Sequence, residues 1–303
     1  MADPERIAII GLGLIGGSLA LALRRSRPMM RIVGVDVDVR AREQALEEGA
    51  VDAATWLNDA ALEVCDTVIL CAPAQPLLDL IPLVAESMRP GAVLTDVCGA
   101  KERICATAAK QDRVVFVGGH PMAGTEYRGF VAANPGLFSG CTVALCAPVG
   151  NPDPLARREA VRRVHELWTS AGAENLLDVD AAQHDKAITF ASHLPYLAAA
   201  LVVEALLTAG ETSALARELA AGGFRDTTRL AGDGTVGGAV ALNRFMPDAA
   251  RGLADKLRGL ADELERSPEK ALERLGTVAD ERRRMRMPAV VATGTAPSLP
   301  RTR

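Results

Sequence analysis

Two glycine-punctuated segments carry the shapes and side chains that chemistry needs. The first, Gly11-Leu12-Gly13-Leu14-Ile15-Gly16, follows one apolar run and opens another. In such a G-x-G-x-x-G turn the first glycine permits a tight bend. The second lets a pyrophosphate approach the backbone, and the third lets a helix pack on its strand. Helix amides then receive the phosphates. Asp36 stands twenty residues beyond Gly16, where a carboxylate accepts hydrogen bonds from ribose hydroxyls. An acid there repels a 2′-phosphate, which favours NAD, while Arg40 and Arg42 keep NADP open.

The second segment is Gly118-Gly119-His120-Pro121-Met122-Ala123-Gly124-Thr125-Glu126, polar and beginning where the apolar run 114–117 ends. An imidazole of ordinary pKa, about 6.5, takes up a proton near neutral pH, so beside a nicotinamide His120 suits a general base. Further on, Ser192-His193-Leu194-Pro195 lies in an apolar stretch. On that ground alone His193 reads as a hydrogen-bonded core histidine. Arg225 and Arg229, in Gly222-Gly223-Phe224-Arg225-Asp226-Thr227-Thr228-Arg229, read as surface salt-bridge partners, although a guanidinium fork also suits a carboxylate.

The elements that must position these residues follow from periodicity. Apolar, β-rich runs at 6–10, 32–36, 67–71, 93–96, 114–117 and 142–146 alternate with helical stretches at 16–25, 40–48, 76–88 and 101–110. Such alternation predicts an α/β fold with a parallel sheet covered on both faces. A helix to about residue 170 and a short strand near 176–179 complete it. From Asp180 the strand signal stops. A long helical run over 181–209, bent near Pro195, and a stripe of Leu253, Leu257, Leu260 and Leu264 predict an all-helical second domain. The expected division is 1–179, 180–286, and a Pro/Thr/Ala-rich tail, 287–303, that reads as disordered.

Composition narrows the class. The apolar fraction of 49% and charged fraction of 24% are those of a soluble globular protein, and a net charge of −4 gives no basic face for nucleic acid. The six cysteines form no C-x-x-C pair and read as reduced thiols of a cytoplasmic protein; with no ligand spacing among Cys and His, no metal is expected. The apolar run 187–209 contains His193, Pro195 and Glu204, so a buried helix is expected rather than a membrane span.

Taken together, the glycine fingerprint, the His120 segment, His184-Asp185, S-H-L-P and the Arg229 motif make the chain resemble the prephenate/arogenate dehydrogenase family over roughly residues 6 to 265. The resemblance implies a Rossmann-like N-terminal domain, a helical dimerisation domain, a homodimer and a small-molecule substrate. The implied reaction is NAD-dependent oxidative decarboxylation of a cyclohexadienyl ring. It further implies that His120 is the catalytic base and that His193 lines the substrate's polar side chain. Arg229 would bind a carboxylate, Glu126 would shape access, and Asp96 with Lys101 would form a turn near the nicotinamide.

Three departures matter. Gly99 stands where many members have a serine that contacts the catalytic histidine and the C4 hydroxyl. A glycine-rich run from Gly232 to Gly238 replaces a D-P-x-M-W segment. Tyr196 follows S-H-L-P where histidine is common. The first leaves two readings open: relaxed or altered recognition at C4, with a 4-amino substituent as the alternative to hydroxyl, or lineage variation with a water in the serine's place. Two rival readings are a β-hydroxyacid dehydrogenase using Lys186, and an NAD-binding module without catalysis.

Overall fold

A computed structural model describes residues 5–125 and 127–285. The fingerprint is framed by β1 (Arg6–Ile10) and α1 (Leu14–Ser26), followed by β2 (Arg31–Val35) and α2 (Val39–Glu47). Next come β3 (Ala53–Thr55), α3 (Asp59–Glu63), β4 (Thr67–Leu70), α4 (Ala74–Ser87), β5 (Val93–Asp96), α5 (Glu102–Ala108) and β6 (Val115–Val117). β1 alternates with period two, yet both of its faces are buried. Ile7 and Ile9 join the apolar cluster under α1, while Ala8 and Ile10 join the one under α4.

β7 (Gly119–Pro121), β8 (Thr142–Cys146), β9 (Val149–Gly150), α6 (Pro154–Ala171) and β10 (Asn175–Val179) complete this half. The main sheet runs β3-β2-β1-β4-β5-β6-β9, parallel except for β9; β10-β8-β7 form a second sheet in which β7 is antiparallel to β8. The expected parallel sheet is present, with the short β9 as an antiparallel edge. The His120 segment, which follows β6, forms a strand of the second sheet: His120 is the middle residue of β7, paired with Ala144.

The helical half comprises α7 (Ala181–Ile188), a π-helical turn (Thr189–His193) and α8 (Leu194–Leu207). After these come α9 (Ser213–Glu218), α10 (Gly222–Thr228), a 3-10 turn (Arg229–Gly232), α11 (Val236–Leu242), α12 (Met246–Arg266) and α13 (Pro268–Arg284). The long helix is interrupted by the π turn before Pro195, which itself sits in the first turn of α8, where its missing N–H costs nothing. The run Ala181–Leu207 has the length and apolar composition of a membrane span, but its window is largely exposed rather than buried as expected. The tail expected to be disordered lies outside the described residues, as does Glu126.

Candidate active site

The glycine turn is shaped by sterics. Gly11 has φ +100°, and a β-carbon on it would meet the Cys71 carbonyl oxygen at 2.5 Å. One on Gly16 would lie 1.9 Å from the Gly11 carbonyl oxygen, whereas one on Gly13 would meet nothing within 4 Å. Gly11 and Gly16 therefore serve the fold, and Gly13 leaves open space at the start of α1 where a pyrophosphate fits. Leu14 and Ile15 form the first turn of that helix, partly buried against the core. Asp36 accepts from Leu12 N–H at 2.6 Å and from Asp38 N–H at 2.8 Å, which fixes the acid at the end of β2. Arg42 donates to the Asp36 and Val37 carbonyls. These residues fit a dinucleotide.

His120 is placed by buried charges. Asp96 and Lys101 are fully enclosed and ion-paired; Lys101 Nζ also donates to the Gly119 carbonyl at 2.7 Å, and Gly119 N–H donates to Asp96 at 3.1 Å. Asp96 takes a further hydrogen bond from Cys98 N–H. Expected as a cofactor contact, Asp96 has its carboxylate buried on three donors within the protein, where it pins the strand that carries His120. A buried ion pair needs such additional hydrogen bonds to offset its desolvation.

Beyond β7, Nδ1 of His120 lies 2.9 Å from Nε2 of His184, whose Nδ1 lies 2.8 Å from Oδ1 of Asp185. Asp185 also accepts the amides of Lys101 at 2.7 Å and Glu102 at 3.0 Å. Burial alone would raise its carboxyl pKa. The hydrogen bonds from His184, Glu102 and Lys101 outweigh burial and hold it below its ordinary value. An ionised carboxylate only accepts, so His184 donates from Nδ1, and in that tautomer its Nε2 offers a lone pair. His120 must then donate from Nδ1, which leaves its own lone pair on Nε2. That nitrogen takes no partner among the described residues. Burial, then the neighbouring His184, Lys101 and His193, push the His120 pKa well below the ordinary imidazole value. The ring is thereby held in its neutral form, with a lone pair on Nε2.

Gly99 sits beside that nitrogen: a β-carbon there would lie 3.4 Å from both Nε2 and Cε1 of His120. His193, buried in the π turn, reaches the same network through Asn243. Tyr196 is half-buried on the first turn of α8, its hydroxyl 3.4 Å from the position a β-carbon on Gly237 would take. Gly234 similarly receives the Arg128 guanidinium, so the glycine-rich run gives close approach to two long side chains. Arg229 is exposed on the 3-10 turn, which packs on α8. Lys186, the rival base, is exposed on α7. All six cysteines are free thiols; burial pushes Cys65, Cys98 and Cys141 up to about 11, which leaves them poor nucleophiles.

The family model for the prephenate dehydrogenase nucleotide-binding domain matches residues 19–177, and that for the prephenate dehydrogenase dimerization domain matches residues 180–235. The chain belongs to the prephenate dehydrogenase family. A prephenate dehydrogenase from Bacillus subtilis is 32% identical over 230 residues, 75% of this chain and 60% of the relative. The chain thus spans about three fifths of that relative's length. A cyclohexadienyl dehydrogenase from Zymomonas mobilis is 31% identical over 75% of this chain and 76% of its own. Among solved structures, prephenate dehydrogenase from Aquifex aeolicus, in complex with hydroxyphenyl propionate and NAD+, superposes with a TM-score of 0.82. It shares 25% identity over 93% of this chain and 99% of that one.

Sequence reasoning missed three participants in this prephenate dehydrogenase family site. His184-Asp185 served only as a family marker, although an adjacent His–Asp pair at a helix start is a visible signal for an oriented imidazole. Asn243 gave no signal: a lone asparagine after a short helix reads as an end cap.

Proposed function

We propose that this protein is an NAD-dependent dehydrogenase that oxidatively decarboxylates a prephenate-type cyclohexadienyl substrate to an aromatic product. The observation that carries this reading is the Asp185–His184–His120 chain, which ends in a basic nitrogen within the half that bears the dinucleotide turn. When bound, the nicotinamide supplies a hydride acceptor. Nε2 of His120 accepts the proton of the C4 hydroxyl as positive charge develops at C4. The bond from C1 to the ring carboxylate breaks, CO₂ leaves, and its electron pair completes the aromatic ring. The proton then returns to the phenolate. His184 and Asp185 spread the imidazolium charge, which costs little because the acceptors are already oriented. Arg229 and His193 hold the substrate's carboxylate and side chain, with Tyr196 beside them. Asp36 favours NAD over NADP.

A second reading concerns C4. The bare Gly99 beside Nε2 of His120 removes a hydroxyl's worth of recognition and leaves room for a different substituent. That supports a 4-amino-4-deoxyprephenate substrate as the alternative to prephenate or arogenate. Purified protein should release CO₂ and form NADH in equal amounts with one of these substrates. The ratio of kcat/KM between 4-hydroxy and 4-amino compounds selects the branch, and absence of turnover with all of them despite NAD binding would overturn the proposal.

The partner we infer is a second copy of the chain. Leu201, Leu207, Leu215, Leu219, Leu257 and Leu264 are all exposed on the helical half, and exposed apolar surface of this kind marks interaction sites. The dimerization-domain match covers part of it. Burying this face in a dimer accounts for the apolar run on α8 without a membrane and suits a cytoplasmic enzyme. Sedimentation of the purified protein should give twice the chain mass; a monomer at micromolar concentration would exclude the dimer.

A further inference from the structure

Asn243 follows α11 and is almost completely buried. Its Oδ1 accepts the Phe245 amide at 3.0 Å, which fixes the orientation of the side-chain amide. The opposite end, Nδ2, has three neighbours: the Asp185 carbonyl oxygen at 2.8 Å, Thr189 Oγ1 at 3.0 Å and His193 Nδ1 at 3.1 Å. The Thr189 hydroxyl uses its one hydrogen on the same Asp185 carbonyl at 2.7 Å, so towards Asn243 it can only accept. An amide nitrogen only donates. A proton on Nδ1 of His193 would therefore point donor at donor in a buried place, an arrangement that costs the full desolvation of both groups.

We infer that Asn243 is a positioning residue that fixes His193 as its Nε2–H tautomer, so the site presents one imidazole acceptor, His120, and one imidazole donor, His193. Asp185 serves both. Its carboxylate sets His120 through His184, and its backbone carbonyl anchors Asn243 and Thr189 behind His193. A donor at Nε2 recognises a carbonyl or carboxylate oxygen on the substrate's side chain. The inference takes from the proposed function only that His193 faces the substrate; the tautomer itself is independent of turnover.

The chain has four histidines, so ¹⁵N-histidine spectra of the intact protein can be assigned with His120→Gln, His165→Gln and His193→Gln variants. His193 is expected to carry its proton on Nε2 and His120 on Nδ1 throughout pH 6 to 9. In Asn243→Ala the His193 signals become a mixture of tautomers. KM for a 2-oxo substrate rises about tenfold while kcat stays within about twofold, as loss of one oriented donor requires. Nδ1-protonated His193 in the unaltered protein overturns the inference, whether or not the variant folds. So does a folded Asn243→Ala protein with unchanged spectra and unchanged KM. Loss of all turnover with the expected wild-type spectra would count against the proposed function alone.

Discussion

A β-carbon on Gly99 would lie 3.4 Å from Nε2 of His120, so the nitrogen left with a lone pair by the hydrogen-bond chain faces a residue without a side chain. The contact is ordinary van der Waals packing, and Ala239 on the other side is equally distant. Gly99→Ser should therefore fold, with its hydroxyl within reach of the imidazole. For a 4-hydroxy substrate kcat/KM is expected to rise about fivefold, the worth of about 1 kcal/mol for one hydrogen bond, and for a 4-amino substrate to fall. Equal response of both substrates would remove Gly99 as a determinant at C4.

The relay behind His120 makes a second expectation. His120→Asn should bind NAD with wild-type affinity and lose nearly all kcat, whereas Arg229→Ala should mainly raise KM. Asp185→Asn places an amide nitrogen where one of three donors now points, so His184 loses its enforced tautomer. A drop in kcat of about 100-fold or more is expected, by analogy with carboxylates that orient catalytic imidazoles elsewhere. Steady-state kinetics on the three variants would check this, and wild-type kcat in His120→Asn would end the assignment.

The fingerprint glycines should separate fold from cofactor. Gly11→Ala combines φ +100° with a 2.5 Å clash on the Cys71 carbonyl and should destabilise the domain severely. Gly13→Ala meets no atom within 4 Å and should melt like the unaltered protein while binding NAD at least tenfold more weakly. Thermal melts with and without NAD distinguish the cases; NAD binding unaffected by Gly13→Ala would place the pyrophosphate elsewhere.

Acid should weaken the protein through its buried imidazoles. Burial lowers the His193 pKa to about 4, with nearby Asp185 opposing and His184 reinforcing the shift; His120 is also lowered. Unfolded histidines titrate near 6.5, so between that pH and about 4 the unfolded chain binds more protons than the folded one. Stability is full above 6.5 and falls by about 1.4 kcal/mol per pH unit for each histidine below it. Urea midpoints at pH 7.5, 6 and 5 should decline, and His193→Gln should flatten the trend. A midpoint constant down to pH 5 would contradict the burial of both rings.

The α/β order, the dinucleotide turn and most central strands were legible because each is written locally, in period-two apolar runs and glycine spacing. The setting of His120 was not. Gly118-Gly119-His120-Pro121 carries no strand propensity, yet Gly119 lies against the Asp96 carbonyl, where a β-carbon would come within 2.6 Å, and is held by Asp96 and Lys101. Its pairing partner, β8, is distant in sequence, and pairing overrides propensity. The interruption expected near Pro195 is the π turn at Thr189–His193; proline is the visible irregularity there, and it marks the place without showing the turn's form.

Asp185 lies in the helical half, yet its carboxylate accepts the amides at the start of α5 in the nucleotide half. The seam between the two halves therefore runs through the acid–base unit itself. A chain severed between Val179 and Asp180 would yield one fragment with a dinucleotide cleft and an unsteered imidazole, and another with the carboxylate that should steer it. Under the proposed function, turnover is thereby conditional on the halves being docked, and a nucleotide half standing alone would hold its dinucleotide without an oriented base to use it.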